Sequence, residues 1–306
     1  MTRHIIRRLL YTIPVMLVVS LLVFGILHVA PGDPAAMLGG EDARPEDVAA
    51  IRAKYGLDQP LYIQYGIWIG NALRSDLGRS IVTRRPVLQE VVTRFPYTLE
   101  LAVAALVAAV VAGMSVGVIS ATRQYSAIDH GTMVLALLGV STPVFWLGLM
   151  LIFAFSVELR WFPTGGVGSW RHLVLPALTL GAHSMAIIAR MTRSSMLEVI
   201  RQDYIRTARA KGLVERVVVL RHGLLNALIP VVTVVGLQFG YLLGGAVITE
   251  TVFSRRGLGR LLIDSINSRD FPTVQGTLML LAGSFVLVNL LVDTLYAYLD
   301  PRIRYE

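Results

Sequence analysis

The sequence predicts an all-α integral membrane protein of six transmembrane helices, with an extracytoplasmic subdomain after the first span and a cytoplasmic helix between the fourth and fifth. Three observations predict it. The chain of 306 residues is 55% apolar and 16% charged, where ordinary soluble chains are about 25% charged. Six stretches, 9–30, 101–122, 131–157, 173–189, 223–249 and 271–292, hold no Asp, Glu, Lys or Arg at all. Each is near the roughly 20 residues that a helix needs to cross about 30 Å of hydrocarbon, and a charge at mid-bilayer costs about 2.5 to 3.5 kcal/mol.

The first stretch, 9–30, is too long for the apolar part of a secretory signal, and the ProGlyAspPro that follows (31–34) is no small-residue cleavage site, so it is expected to stay as a helix. The connection 31–97 is too long to be structureless. Pro45, Glu46 and Asp47 open a helix whose face carries Val48, Ile51 and Tyr55, and Gly56 closes it. The segment 59–68 predicts a second helix with interfacial aromatic residues, and 86–92 a third. The stretches 101–122 and 131–157 are the second and third spans. The fourth, 173–189, is the shortest and is extended by snorkelling of His172 and Arg190. From 190 to 222, Met196, Val199, Ile200, Tyr204 and Thr207 recur at helical spacing, with Arg193, Arg201, Arg206 and Arg209 on other faces, until Gly212 interrupts the pattern. That amphipathic segment either lies on lipid headgroups or docks a cytoplasmic partner. On the fifth span Gly236, Gly240, Gly244 and Gly245 form a small-residue stripe suited to helix packing.

With the N-terminus inside, the short inside segments hold fourteen Lys and Arg residues and the short outside loops six, which puts both termini in the cytoplasm. The organisation is then 1–30, N-terminus and first span; 31–97, extracytoplasmic helical subdomain; 98–298, a core of five spans with the loop 190–222; and 299–306, cytoplasmic C-terminus.

Composition also excludes function classes. The sequence has no cysteine, hence no disulfide, thiolate nucleophile, iron–sulfur cluster or cysteine zinc site. Neither lysine, Lys54 or Lys211, stands in a phosphate-cradling GxxxxGK[ST], so ATP would be hydrolysed by a partner. The six histidines show no HExxH spacing. The net charge of +8 is divided among bilayer-flanking loops, which fits lipid headgroups and not nucleic acid. Glu100 and Glu250 stand at the outer ends of spans two and five, and Asp293 at the inner end of span six; a hydrated interface or an ion pair, for Asp293 with Arg123 or Arg302, outweighs a pathway role. His28 and His183, inside apolar stretches, read as hydrogen-bonded helix residues more than as ligands.

The chain resembles a family over nearly its whole length. The residues that carry the resemblance are ProGlyAspPro (31–34), TyrGlyLeuAspGlnProLeu (55–61), SerAspLeuGly (75–78), SerThrProValPheTrpLeuGly (141–148), TrpPheProThrGly (161–165), AspTyrIleArgThrAlaArgAlaLysGlyLeu (203–213), ArgHisGlyLeuLeuAsnAlaLeuIlePro (221–230), ThrGluThrValPhe (249–253) and LeuAspProArgIleArgTyr (299–305). In this order they resemble the inner-membrane permease subunits of binding-protein-dependent ABC importers, specifically the B-type subunit of the dipeptide, oligopeptide and nickel branch.

The segment ending at Gly212 is similar to the glutamate-alanine-alanine loop of such permeases. Arg206 stands at the glutamate position, Thr207 and Ala208 at the alanines, and Pro230 lies further from Gly212 than in the general form. The resemblance implies that Asp203, Tyr204, Ile205, Arg206, Thr207, Ala208, Arg209, Ala210, Lys211, Gly212 and Leu213 form a coupling helix seated in a groove of an ATPase subunit. Small Ala208 and Ala210 suit close approach, and the arginines suit acidic groups on that partner. Asn226, Gln238 and Glu250 are the candidates for a pathway or gate.

The resemblance further implies a second homologous permease subunit, two ATPase subunits carrying ATP and Mg, an extracytoplasmic solute-binding protein, and a bacterial or archaeal inner membrane. The chain itself would bind no cofactor and catalyse no bond change; it would form half of an alternating-access path for di- and oligopeptides. Alternatives are a non-peptide solute such as a nickel chelate, glutathione or haem, or a secondary transporter driven by an ion gradient. The last needs ionisable groups or broken helices at mid-membrane, and the span centres carry no charge. An intramembrane enzyme lacks its chemistry here.

Overall fold

The computed structural model describes residues 2–29, 34–40, 43–54 and 56–299. Most of the ProGlyAspPro stretch, Tyr55 and the segment 300–306 lie outside the described residues, as does the side chain of Asp293. Among the described residues the regular elements are all helices, with one isolated β-bridge between Arg79 and Pro86.

The order of elements is α1 (Thr2–Val29), α2 (Pro34–Gly39), α3 (Pro45–Lys54), α4 (Leu61–Leu73), α5 (Val87–Thr122), α6 (Ala127–Ser141), α7 (Val144–Leu151, continued by a π-helical stretch Ile152–Glu158), α8 (Arg171–Ile200), α9 (Asp203–Ala210), α10 (Glu215–Val217, continued by a π-helical stretch Val218–Leu224), α11 (Leu225–Val252), α12 (Leu258–Asn267) and α13 (Phe271–Leu299). The expected helices at 45–55 and 59–68 are α3 and α4, and Gly56 takes a left-handed φ of 62° just after α3.

Among the described residues four helices are long and apolar enough to cross a membrane: Val87–Thr122, Arg171–Ile200, Glu215–Val252 and Phe271–Val292. The first charge-free stretch adds a shorter apolar helix, Leu10–Ile26. The expected third span is not one straight helix. It is Ala127–Ser141 and Val144–Glu158, bent by 110°. The cause is local: Pro143 disfavours helical backbone at Thr142, which is extended at φ −79° and ψ 127°.

Two more expectations change. The helix at 86–92 is not separate but the start of α5, which runs 36 residues straight through Pro96. The amphipathic segment beyond span four is not one helix either. Its first part, to Ile200, belongs to α8; at Gln202 the backbone turns extended (φ −72°, ψ 150°), and α9 starts anew.

The chain divides into two compact units. One comprises Leu99–Arg255 and the chain from Val288. Its core sets Leu101, Ala102 and Ala105 of α5 and Leu180 of α8 against Leu242, Leu243 and Ala246 of α11. Helices α5 and α8 cross closely because glycines permit it. A Cβ on Gly113 would stand 2.7 Å from the Met185 carbonyl oxygen, and one on Gly117 2.6 Å from that of Ala189. The expected stripe on α11 is used in part: a Cβ on Gly236 would run into Val292 and one on Gly245 would meet Leu180, whereas Gly244 has open space.

The other unit comprises Thr2–Thr98 and Arg256–Leu287. There α1 and α4 share an aromatic cluster of Phe24, Tyr65 and Trp68. His28 is a bonded helix residue, its Nε2 lying 3.0 Å from the side-chain Oε1 of Gln64. Val87 and Val91 pack on Leu258 and Leu261 of the amphipathic α12. Asp270 accepts from the Ser80 hydroxyl at 2.5 Å, the Ile81 N–H at 3.1 Å and the Thr273 hydroxyl at 2.8 Å, and so ties the 76–86 turn to the start of α13.

Candidate coupling helix and pathway residues

Helix α9 is short, and its sequence makes it two-faced. Ile205 and Ala208, one turn apart, are buried with Val218 of the following π-helical stretch, over Val199 of α8. Asp203, Tyr204, Arg206, Thr207, Ala210 and Lys211 are exposed. This differs from the sequence reading at one residue. Ala208 serves packing within the chain, so of the two alanines only Ala210 is open to a partner.

The end of α9 explains the glycine. Gly212 has φ 75°; its N–H donates to the Arg209 carbonyl at 2.9 Å, and the Leu213 N–H donates to the Ala208 carbonyl at 3.4 Å. These paired bonds are a Schellman closure, which requires a left-handed residue at that position. A Cβ on Gly212 would meet nothing within 4 Å, so the constraint on it within the chain is conformational and not steric.

The turn after α9 is pinned by charge. Arg209 Nη2 donates to Glu215 at 2.7 Å and its Nε at 3.1 Å. This bidentate pairing raises the Arg209 pKa above its ordinary value, keeping it a fixed cation. Arg206 reaches Asp203 at 3.5 Å along the exposed side. Of the two arginines, Arg206 offers the more accessible positive charge, its side chain being 75% exposed against 41% for Arg209.

The pathway candidates are not brought together. Asn226, in the first turn of α11, is exposed and donates its amide to the His222 carbonyl at 2.8 Å. Gln238, half-buried, accepts from the Ser184 hydroxyl of α8 at 2.8 Å. Glu250 is fully buried in the last turn, where its backbone carbonyl accepts from the Arg255 N–H at 2.8 Å. At a rise of about 1.5 Å per residue these positions are strung along about 36 Å of one helix. Glu100 forms an ion pair, its partner being the buried Arg255.

One constellation was missed from the sequence. Asp129, in the first turn of α6, is buried and accepts two bonds from Arg193 of α8, at 2.7 and 2.8 Å, together with the Tyr125 N–H at 3.0 Å and the Ser120 hydroxyl. The available signal was SerAlaIleAsp at 126–129, a capping pattern: the Ser126 hydroxyl accepts from the Asp129 N–H at 3.2 Å.

Residues 113–305 match the family described as binding-protein-dependent transport system inner membrane component, and residues 1–102 match the N-terminal part of that membrane component. The chain belongs to this family of ABC importer permeases. It is accordingly a multi-pass inner-membrane permease subunit, catalyses no bond change itself, and works with ATPase and binding-protein partners, the ATPases hydrolysing ATP. Relatives include the glutathione transport system permease protein GsiC of Escherichia coli strain K12, 50% identical with all of both chains covered. The GsiC protein of Shigella boydii serotype 4 is 49% identical over the same span. The fold is shared with the MetNI methionine ABC transporter in an inward-facing conformation, at 22% identity and TM-score 0.58, covering 70% of this chain and 97% of that one. It is shared also with an amino acid ABC transporter at 17% identity and TM-score 0.51, covering 69% and 92%.

Proposed function

We propose that this permease carries small peptides of the glutathione kind inward, as half of the path through an ATP-driven importer. The observation that carries the solute class is the 50% identity, over the full length of both chains, with a permease whose system transports glutathione. Glutathione is itself a tripeptide, so this reading narrows the expectation of small peptides and ranks nickel chelates and haem below it. Membership of an ABC importer family removes the ion-gradient alternative.

In this reading both termini face the cytoplasm, a second homologous permease completes the path, and 203–213 is the coupling helix. The two faces of α9 support that role: Ile205 and Ala208 anchor it to its own chain, while Tyr204, Arg206, Thr207, Ala210 and Lys211 face outward. ATP and Mg belong to the two ATPase subunits. Asn226, Gln238 and Glu250 keep a pathway or gate role, and the segment 31–97 an extracytoplasmic one.

The test is import into proteoliposomes of the complete system, its own binding protein included, with radiolabelled glutathione, dialanine and a nickel–histidine complex. ATP-dependent glutathione uptake is expected. Uptake of dialanine or nickel alone would overturn the solute class and leave the importer reading in place.

A further inference from the structure

His183 of α8 and Tyr241 of α11 stack with ring centroids 5.1 Å apart and planes inclined by 28°. His183 stands twelve residues into α8, and Tyr241 eleven residues before the end of α11. At about 1.5 Å per residue both lie about 17 to 18 Å from those helix ends, near the middle of a hydrocarbon layer about 30 Å thick. Tyr241 is 48% exposed on the chain, and His183 is half-buried.

The polar groups beside them are closed within the chain: the Ser184 hydroxyl donates to Gln238 at 2.8 Å. The imidazole nitrogens of His183 and the hydroxyl of Tyr241 find no such partner among the described residues. Lipid tails offer none, and a polar group left unbonded in hydrocarbon is heavily penalised. Water, a solute or a partner subunit must satisfy it. One turn beyond Tyr241, Gly244 leaves open space where a side chain would stand, so the backbone there is also accessible.

We infer that His183 and Tyr241 line the solute path at mid-membrane and contact the solute as it passes. The inference rests on the importer reading and names residues of the path within it. The chemistry is a flat aromatic shelf with hydrogen-bond donors and acceptors, set in stretches that carry no Asp, Glu, Lys or Arg (173–189 and 223–249). It suits the amide groups of a peptide, which are neutral and both donate and accept. It offers no fixed charge to hold a carboxylate, so solute is passed and not trapped.

The absence of cysteine makes the test direct. His183→Cys, Tyr241→Cys and Gly244→Cys are each introduced singly into the complete importer in lipid nanodiscs and exposed to an anionic, membrane-impermeant methanethiosulfonate, with the fully buried Ile188→Cys as control. Modification of the three at least tenfold faster than the control, read by mass spectrometry, is expected. If one variant fails to assemble, the other two give the same reading. No modification in an importer that still turns over ATP and transports would overturn the path assignment and leave the importer reading standing. Modification of the isolated chain but protection in the importer would place the pair under a partner subunit, which also overturns it. Failure of the unaltered chain to assemble with ATPases would overturn the importer reading, and the path assignment with it.

Discussion

Asp129 and Arg193, 64 residues apart, are joined by a two-pronged ion pair that ties the start of α6 to α8, seven residues before α8 ends at Ile200. Because α9 follows after a two-residue break, the pair connects the α5–α6 turn to the stem that carries α9, the proposed coupling helix. Truncating one partner strands a charge that is 2% exposed on the Asp side. Breaking such a buried pair costs about 3 to 5 kcal/mol. Asp129→Ala and Arg193→Ala should each lower the detergent melting temperature strongly, and the double variant should cost less than the sum. Additive losses in a thermal double-mutant cycle would show that the pair does not act as a unit.

Gly212 predicts a ranking and not merely a defect. Its φ of 75° is tolerated by Asn, costs Ala about 1 to 2 kcal/mol and costs a β-branched residue more. Since no atom waits where a Cβ would stand, coupled transport should fall in the order Gly, Asn, Ala, Val, with membrane insertion intact. Equal activity of Gly212→Asn and Gly212→Val, measured as glutathione uptake per ATP hydrolysed, would contradict a conformational role.

Arg209 and Glu215 separate stability from coupling. Their side chains are 41% and 60% exposed, so the pair is worth about 0 to 1 kcal/mol to the fold. Arg209→Glu should leave the melting temperature within a few degrees but weaken ATPase association by freeing the turn after α9. The exchange Arg209→Glu with Glu215→Arg should restore it, as read by co-purification; restoration failing while Arg206→Ala is harmless would point to direct contact by Arg209.

Two glycines on different faces give opposite expectations. Gly117→Leu would drive a Cβ to 2.6 Å from both the Ala189 carbonyl oxygen and the Thr192 Cβ, which overpacks a helix crossing and should abolish accumulation of folded protein. Gly131→Ala, on α6, meets nothing within 4 Å and should be neutral or stabilising by about 0.5 to 1 kcal/mol through helix propensity. Size-exclusion profiles of the two proteins in detergent check both.

Four of the six expected spans were legible as long apolar helices because a charge is costly in hydrocarbon, and α3, α4 and Gly56 because local turn chemistry repeats regardless of tertiary context. What the pattern missed has physical reasons. Pro96 lies inside α5, whereas Pro143 breaks its helix, and the prolines alone do not say which will do so. Helix α12 was invisible because ten residues rich in Leu and Ile between charged loops satisfy no span criterion, although its apolar face covers Val87 and Val91. That a short helix closes at Gly212 was readable from its motif, although α9 itself spans Asp203–Ala210 and not the whole of 203–213. That Ala208 faces inward was not, since this depends on Val218 folding back beneath it. The Asp129–Arg193 pair joins elements 64 residues apart, and no local periodicity encodes such a partner.

The 110° bend between α6 and α7 also fixes a parity. A bent pair that returns to its starting face contributes no crossing, and every later segment then changes sides; a bent pair that passes through contributes one. In the topology proposed above, the arginines before α1 and those flanking α9 share the cytoplasmic face, which demands an even number of passages between them. In that topology α1, α5 and α8 supply three and the broken pair the fourth, which makes Ser141–Thr142–Pro143 a corner that the chain turns while still travelling across the bilayer.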